Sequence, residues 1–261
     1  MKQLVSIIAS VLLTHSLLAN TYYVNAARPD DSGNGLSWDE AKKTIQAVVN
    51  AASIGDTVLV TNGVYNVGFS TINNDGTTYK NRVLVNKSIT VRSINGPEST
   101  IIEGYLAVDN SAAIRCVYLS DGVLDGFTLR NGSTQYTLQV GYCEGAGVNM
   151  YGASATAEVK NCIICNCQAY KGGGAAFARL KNCTLLSNKG SERAGGVYES
   201  DLEYCTLSGN TTGGNGAGSF NSTLKSCIIS GNTVLGNGGR GGGAYGGTFN
   251  NCLIINRCLG T

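Results

Sequence analysis

The stretch Asn182-Cys183-Thr184-Leu185-Leu186-Ser187-Asn188 decides the fold, because versions of it recur along the second half of the chain. Five aligned copies place a cysteine 21, 22, 22 and 25 residues apart, at Cys162, Cys183, Cys205, Cys227 and Cys252. Each copy closes on an asparagine, at Asn166, Asn188, Asn210, Asn232 and Asn256. Self-similarity at this period is typical of a solenoid, in which each repeat is one coil stacked on its neighbour.

Glycine-rich triplets form a second landmark of the repeat. In four of the five copies a triplet stands 11 residues before the cysteine: Gly172-Gly173-Gly174, Ala194-Gly195-Gly196, Gly216-Ala217-Gly218 and Gly241-Gly242-Gly243. In the first copy, Gly145-Ala146-Gly147 stands 17 residues before Cys162, which indicates an insertion of six residues. Short β-rich stretches divided by glycine and asparagine turns predict an all-β fold, a right-handed parallel β-helix with coils of about 22 residues. Leucine-rich repeats need a Leu-x-x-Leu-x-Leu frame, which is absent.

The repeated cysteines and asparagines suit a stacked coil. Each coil adds about 4.8 Å along the axis, so equivalent side chains lie above one another. A small, inward-pointing cysteine packs well in a narrow core, and a repeated asparagine suits a tight turn and can bond the next amide. Phe127 and Asn131 extend the two columns towards the N-terminus. Off the cysteine column, the sequence allows one or two disulfides, with unassigned partners, among Cys143, Cys165, Cys167 and Cys258.

The composition excludes several classes of protein. Glycine accounts for 36 of 261 residues and proline for 2, and the formal net charge is +2. Glycine has no three-residue period, which excludes collagen, and 43% apolar residues suffice for a buried core. The single histidine, His15, lies in a segment that we expect to be removed. The mature chain then has no His-based catalysis and no His metal site.

Residues 1–19 are typical of a signal peptide. Lys2 supplies a positive start, an apolar run extends from Leu4 to Leu18, and Ala19 is a small residue suited to cleavage. A buried N-terminal helix is the alternative, whereas the run is too short and too hydroxylated for a transmembrane helix. We therefore expect a secreted or cell-surface protein, bacterial and extracellular or on the outer membrane, in a compartment that permits disulfides.

Residues 20–261 are expected to form one β-helix domain, because nothing in them resembles a linker. A strand is predicted from Thr21 to Asn25. Ser37 and Glu40 have the spacing of a capping box, and the apolar residues that follow recur at helical intervals as far as Ala52. This helix is expected to cover the open end of the solenoid and to shield its unpaired strand edge.

Three segments of the first half resemble a known superfamily: Ser37-Trp38 with Ala41 and Ile45, Gly55-Asp56-Thr57-Val58-Leu59-Val60, and Gly63-Val64-Tyr65. They look like the N-terminal coil of secreted right-handed parallel β-helix proteins of the pectate-lyase-like superfamily. Two later stretches resemble the repeats of polymorphic outer-membrane proteins: Gly195-Gly196-Val197-Tyr198 and Gly242-Gly243-Ala244-Tyr245. The superfamily includes polysaccharide lyases, hydrolases and adhesins, so the resemblance implies the fold and no single activity.

The chain offers few carboxylates for catalysis. A polysaccharide lyase on this fold needs carboxylates for Ca²⁺, or another way to neutralise a uronate, and a Lys or Arg that removes a proton beside the carboxyl group. Residues 204–261 contain no Asp or Glu, which excludes a carboxylate Ca²⁺ site there. The upstream candidates are Glu192, Glu199, Asp201 and Glu203. The last three alternate, which predicts one solvated face of a strand. We predict no metal, no cofactor and no assigned catalytic residue.

The sharpest candidate site is a column of polar residues beside the glycine triplets. The residues immediately before the triplets are Glu144, Lys171, Arg193, Asn215 and Arg240. In register they place three cations in four successive coils. Turns favour exposed polar residues and Glu144 can pair with Lys171, which is the purely structural interpretation. The functional interpretation is a glycan-binding strip, in which the regular cations of Lys171, Arg193 and Arg240, with Asn215 between them, match an acidic polymer.

These observations leave three hypotheses for function. The favoured one is a non-catalytic adhesin or glycan-binding scaffold whose partner is a polysaccharide or cell-surface polymer. The alternatives are a polysaccharide lyase or hydrolase acting on acidic glycans, and a structural envelope component. A cluster of Lys or Arg with acids in one groove across adjacent coils would favour an enzyme, and a regular exposed face without one would favour an adhesin.

The partners follow from the same features. Too little basic charge and no interleaved aromatics disfavour nucleic acid. The solenoid stops soon after Asn256 with no sign of a capping helix, which predicts a C-terminally incomplete fragment or an end covered by a partner. If the chain is a fragment, the missing C-terminal region is one way in which the protein could associate with the outer membrane.

Overall fold

The computed structural model describes residues 19–74, 76–107, 112–135 and 141–255. In these residues the chain forms a parallel β-helix with 25 strands and one short α-helix, so the predicted fold class is confirmed. Residues 1–18, and with them nearly all of the expected signal peptide and His15, lie outside the described ranges. No helix within those ranges is long and apolar enough to cross a membrane.

Three sheets run along the solenoid axis. The largest contains thirteen strands: β1 (Thr21–Val24), β2 (Thr57–Val60), β4 (Ser70–Asn74), β5 (Thr77–Ser93), β7 (Ile114–Asp125), β9 (Val148–Asn149), β10 (Glu158–Lys160), β13 (Ala175–Ala176), β14 (Arg179–Lys181), β17 (Val197–Tyr198), β18 (Asp201–Glu203), β21 (Ser219–Lys225) and β24 (Ala244–Asn250). The second has eight: β3 (Gly63–Tyr65), β6 (Thr100–Glu103), β8 (Thr128–Arg130), β11 (Ile163–Cys165), β15 (Thr184–Leu186), β19 (Thr206–Ser208), β22 (Ile228–Ser230) and β25 (Leu253–Ile255). The third has four: β12 (Gln168–Lys171), β16 (Lys189–Arg193), β20 (Thr211–Thr212) and β23 (Thr233–Val234). Every strand pair is parallel except the β4–β5 hairpin.

The cysteine column lies inside the solenoid, as the repeat predicted. The register of β8, β11, β15, β19, β22 and β25 stacks Phe127 and the five repeat cysteines one above the other. Four of these cysteines are buried and Cys252 is half-buried. Each thiol of the column donates to the carbonyl oxygen two residues earlier, at 3.2–3.4 Å. The column therefore packs the corner between two sheets.

None of the expected disulfides joins two described residues. The nine cysteines in the described part of the chain form no disulfide with one another, and Cys258 lies outside it. Cys165 is half-buried on β11 whereas Cys167 is buried in the core, so these two side chains point to opposite sides of the coil. Burial raises the pKa of the Cys167 thiol, which keeps it protonated.

The asparagine column begins two coils later than the sequence predicted. Asn188, Asn210 and Asn232 are buried, and the amide of each donates to or accepts from the next at 2.9–3.0 Å. The register places Cys167, not Asn166, above Asn188. Asn166 and Asn131 instead occupy a left-handed turn with φ of 54° and 56°, which asparagine tolerates better than most residues.

Helix α1 (Ile45–Ala51) packs across the first coils, as expected, but begins later than the Ser37–Glu40 spacing predicted. Ser37 Oγ does accept a hydrogen bond from the Glu40 backbone N–H, at 3.2 Å, but this turn is not the first turn of the helix. Thr44 is the residue that caps the helix, and the Asp31 carboxylate holds its backbone N–H and hydroxyl at 2.7 and 2.8 Å. This tether fixes where the helix can start.

Candidate functional site

The polar column predicted from the glycine triplets exists in the structure. Lys171 pairs with Arg193 between β12 and β16, and Arg193 forms a parallel bridge with Asn215. The Asn215 side-chain oxygen accepts from the Arg240 backbone N–H at 2.8 Å. We call Lys171, Arg193, Asn215 and Arg240 the basic column. Its members lie on successive coils, about 4.8 Å apart along the axis.

The glycine triplets position the column by allowing a sharp corner. The first residue of each triplet is left-handed, as at Gly172 (φ 61°), Gly216 (φ 69°) and Gly241 (φ 69°). A Cβ on Gly173 would lie 2.3 Å from the Lys189 carbonyl oxygen, so only glycine fits between neighbouring coils there. The chain turns at this corner from the third sheet into the largest sheet, and the column occupies its outer edge.

A run of adjacent aromatic rings, which we call the aromatic ladder, lies beside the column. Neighbouring ring centroids are 5.1–5.7 Å apart along Tyr79, Tyr142, Tyr151, Phe177, Tyr198, Phe220 and Tyr245. Tyr198 and Phe220 form a small hydrophobic cluster with Phe177, separate from the main core. The ladder therefore lies on the outer side of the sheet rather than in the lumen of the solenoid.

Two cations of the column lie over rings of the ladder. The Lys171 ammonium is 5.4 Å from the Tyr198 ring centroid, and the Arg193 guanidinium is 4.9 Å from that of Phe220. Both cations also form ion pairs with the Glu192 carboxylate: Lys171 Nζ lies 3.8 Å from Oε2 and Arg193 Nε lies 3.4 Å from Oε1. Cation–π contacts of this kind contribute about 0.5–2 kcal/mol and hold the cations in place.

The side chains of the basic column differ in their exposure to solvent. The Lys171 side chain is 15% exposed and that of Arg193 is 38% exposed, while Arg240 is exposed. Within the described residues no side chain pairs with the Arg240 guanidinium. The outer surface of the column thus presents two accessible cations, Arg193 and Arg240, with the polar Asn215 between them.

Acidic side chains gather at one end of the column. Glu144 is buried and does not form the predicted ion pair with Lys171, because its carboxylate turns to the Gly141 backbone N–H at 2.8 Å. Burial raises the pKa of Glu144 above its ordinary value, although the Lys171 charge opposes the shift. Burial and a hydrogen bond with Glu199 both raise the pKa of the neighbouring Tyr198 phenol. Glu144, Lys171, Arg193 and Glu199 thus lie around Tyr198 across adjacent coils, and Glu192 pairs with the two cations.

The other predicted acids do not join this cluster. Asp201 and Glu203 share the outer face of β18, while Glu199 lies before the strand in a left-handed turn with φ 46°. Glu203 is bound by Lys225 and Lys181, at 2.9 and 3.3 Å, on a different face of the solenoid. The three acids therefore do not share one strand face, because the chain turns between the first and the second. The described residues contain no group of three or more side chains that could hold a metal ion.

The aromatic ladder is the part of the site that sequence reasoning missed. One signal was available, because Tyr198, Phe220 and Tyr245 all stand two residues after the last glycine of a triplet. In the preceding coil that position is Ala176, and Phe177 supplies the ring from a left-handed residue with φ 55°. The ladder is thus interrupted in sequence and continuous in space.

Comparison with known proteins agrees with the fold. No protein-family model matches the chain, and no curated protein matches it. Among solved structures, a rhamnogalacturonan lyase is 17% identical with a TM-score of 0.51, and the alignment covers 82% of this chain and 69% of that one. Pectate lyase Pel9A is 13% identical with a TM-score of 0.50, over 85% of this chain and 57% of that one. At these identities the similarity establishes a shared parallel β-helix fold and nothing finer.

Proposed function

We propose that this chain binds an acidic polysaccharide along the basic column. The observation that carries the proposal is the repetition of cations at one corner of the solenoid, with Lys171 and Arg193 held over Tyr198 and Phe220. Cations fixed on successive coils present a regular row of charge, which suits a polymer that carries a carboxylate on each sugar. Two exposed rings of the ladder, Tyr151 and Tyr245, offer flat apolar surfaces for sugar faces.

Cleavage of the same polymer is the second candidate function. Two observations favour it: the fold neighbours whose titles describe a rhamnogalacturonan lyase and a pectate lyase, and the acidic cluster around Lys171. A lyase must remove a proton beside a uronate carboxyl group and protonate the leaving oxygen. Buried Glu144 does not reach a polymer, whereas Glu199 is exposed beside the Tyr198 phenol. Glu199 is therefore the acid to test.

One experiment separates the two functions. The protein is run through gels that contain polygalacturonate or the neutral polymer dextran, and is also incubated with polygalacturonate while the ultraviolet absorbance of unsaturated sugars is followed. Binding alone predicts retardation by polygalacturonate, none by dextran and a flat absorbance trace. A rise in absorbance that Glu199→Gln abolishes and the control Asp201→Asn does not would show that the function is cleavage of the polymer and not binding alone. Equal mobility in both gels would contradict the proposal.

Secretion and attachment to a cell surface belong to the same proposal. The apolar segment before Ala19 supports export, and a long solenoid with a charged edge suits an extracellular polymer. Expression of the whole chain in a bacterial host, followed by N-terminal sequencing of the extracellular fraction, tests this proposal. A new N-terminus near Asn20 is the expected result, and an intact Met1 in the cell interior would contradict it.

A further inference from the structure

Two clefts lie side by side on the first coils, away from the basic column. The larger, of about 560 Å³, opens between helix α1, the loop that joins β3 to β4, and β5. The smaller, of about 350 Å³, lies between that loop, the end of β6 and the turn after β8. Asn66 and Arg82 line both clefts. Volumes of a few hundred Å³ are typical of sites for small ligands.

Arg82 is a buried cation with one nitrogen left over. Only 7% of the residue is exposed, and its Nε donates to the Glu103 carbonyl oxygen at 2.7 Å while Nη1 donates to that of Gly68. Both partners are neutral carbonyl groups. Within the described residues no acceptor takes a hydrogen bond from Nη2, and this atom is not sealed from solvent. A buried guanidinium with a free N–H in a cleft wall is a site for an anion, above all a carboxylate.

The nearest carboxylate of the protein cannot serve as that anion. Glu103 accepts from Arg130 Nε at 2.9 Å, from Asn131 Nδ2 at 3.0 Å and from Asn66 Nδ2 at 3.2 Å. Burial raises the pKa of Glu103, but these hydrogen bonds outweigh burial and hold the pKa below its ordinary value. The carboxylate is therefore ionised and bonded to Arg130, and its charge acts on Arg82 without an ion pair or a hydrogen bond between the two side chains.

The other groups in the walls suit the rest of a sugar. Asn66 and Asn131 use their amide nitrogens on Glu103, which leaves both amide oxygens as acceptors for hydroxyl groups. Val67, Phe69 and Tyr105 are 60%, 52% and 51% exposed and provide apolar wall and ring faces. A cation, free amide acceptors and apolar surface together match a ring that carries one carboxylate and several hydroxyls.

We propose that the cleft pair centred on Arg82 is a binding site for a single uronic acid residue, separate from the basic column. The choice of a uronate over other hydroxylated carboxylates rests on the proposed function, while the anion site itself rests on Arg82. The ligand carboxylate bonds Arg82 Nη2, its hydroxyls donate to Asn66 and Asn131, and its ring lies against Phe69 or Tyr105. The cleft pair would thus bind the end of a polymer chain at a place separate from the basic column.

The test is a titration of the whole protein with small ligands by isothermal calorimetry. Galacturonate is expected to bind with a Kd of about 1 mM, and galactose and acetate at least tenfold more weakly, because each lacks half of the contacts. Val67→Asp adds a negative charge at an exposed wall position and is expected to weaken galacturonate binding by about tenfold. The matched controls are Val67→Asn, which has the same size without charge, and Ile54→Asp, which adds the same charge at a site 76% exposed and outside both clefts.

The outcomes also separate this site from the column. Arg193→Gln with Arg240→Gln is expected to leave galacturonate binding within twofold of wild type, whatever it does to polymer binding. Loss of galacturonate binding in that double variant would place the uronate on the column and overturn the cleft proposal. Equal affinity for galactose and galacturonate, an unchanged Kd for Val67→Asp, or no saturation up to about 10 mM galacturonate would overturn it as well.

Discussion

At the scale of single residues, the two kinds of repeated asparagine have different physical roles. Asn188, Asn210 and Asn232 are buried, and their amides bond one another and the main chain between coils. Asn161 and Asn182, which immediately precede Cys162 and Cys183, have φ of 53° and 52° and bond side chain to side chain at 2.8 Å. One residue type thus satisfies buried polar groups in one column and relieves backbone strain in the other.

Replacing the central buried asparagine tests the first role. Asn210 Nδ2 donates to Leu185 O and Asn232 Oδ1, and its Oδ1 accepts from Asn188 N and Nδ2. We expect Asn210→Leu to lower the free energy of unfolding by about 2–4 kcal/mol, because it leaves several buried groups unsatisfied. Urea unfolding measures the loss. Asn250→Leu, at an exposed strand position, is the control and is expected to stay within about 0.5 kcal/mol of wild type; equal effects would contradict the account.

Glu144 gives a prediction about pH. Its pKa is raised in the folded protein, so the native state prefers the protonated acid and loses stability as the pH rises from the unfolded value through the folded one. Glu144→Gln keeps an acceptor for Gly141 and removes the charge, so its Tm relative to wild type is expected to increase between pH 4 and pH 7. Calorimetry across that range checks the slope. A wild-type advantage that grows with pH would show that the Glu144 charge is stabilising.

At the scale of elements, helix α1 acts as part of the sheet edge. Gln46 Oε1 accepts from the Leu84 backbone N–H at 2.7 Å and its Nε2 donates to Leu84 O at 3.2 Å, so one amide side chain replaces a strand neighbour of β5. The Lys87 ammonium bonds the carbonyl oxygens of Val49, Asn50 and Ala52 at 2.7–3.0 Å and caps the other end. The helix therefore shields a strand edge, as the sequence-based interpretation expected.

The Gln46 contact can be tested by two substitutions of different kinds. Gln46→Ala removes both hydrogen bonds and is expected to lower the free energy of unfolding by about 1–3 kcal/mol. Gln46→Glu has the same shape. When ionised it keeps the acceptor and loses the donor, so at neutral pH we expect its free energy of unfolding to lie between those of wild type and Gln46→Ala. Chemical unfolding of the three proteins gives the order. A loss in Gln46→Ala no larger than about 0.5 kcal/mol would mean that α1 does not complete the edge.

The sequence predicted elements well where a single period controls them. The cysteine register, the strands of the second sheet and the corner at the glycine triplets all follow from residues that repeat at fixed intervals. Prediction was wrong where a distant group decides, as with the helix start, which depends on Asp31 contacting Thr44 across 13 residues. It also failed where neighbouring coils use different positions for one function, as with Ala176 and Phe177 in the ladder.

At the scale of the whole molecule, stacking turns single residues into continuous surfaces. One corner carries the basic column on the aromatic ladder, and another face carries Lys181 and Lys225, which both pair with the single carboxylate of Glu203. Hydrogen bonds from Lys225 and Lys181 lower the pKa of Glu203, so this carboxylate stays ionised and pairs with both lysines. The two faces therefore differ in how their cations are paired: both lysines bind Glu203, whereas within the described residues no side chain pairs with the Arg240 guanidinium.

This difference supplies a charge-matched test of the central proposal, the binding of an acidic polysaccharide along the basic column. Calorimetric titration with galacturonate oligomers of increasing length is expected to show an affinity that rises until the oligomer spans the column, about 14 Å from Lys171 to Arg240 at 4.8 Å per coil. Arg193→Gln with Arg240→Gln is expected to weaken binding of the longest oligomer at least tenfold, and Lys181→Gln with Lys225→Gln by less than twofold. Equal losses in the two double variants, or an affinity independent of oligomer length, would contradict the proposal.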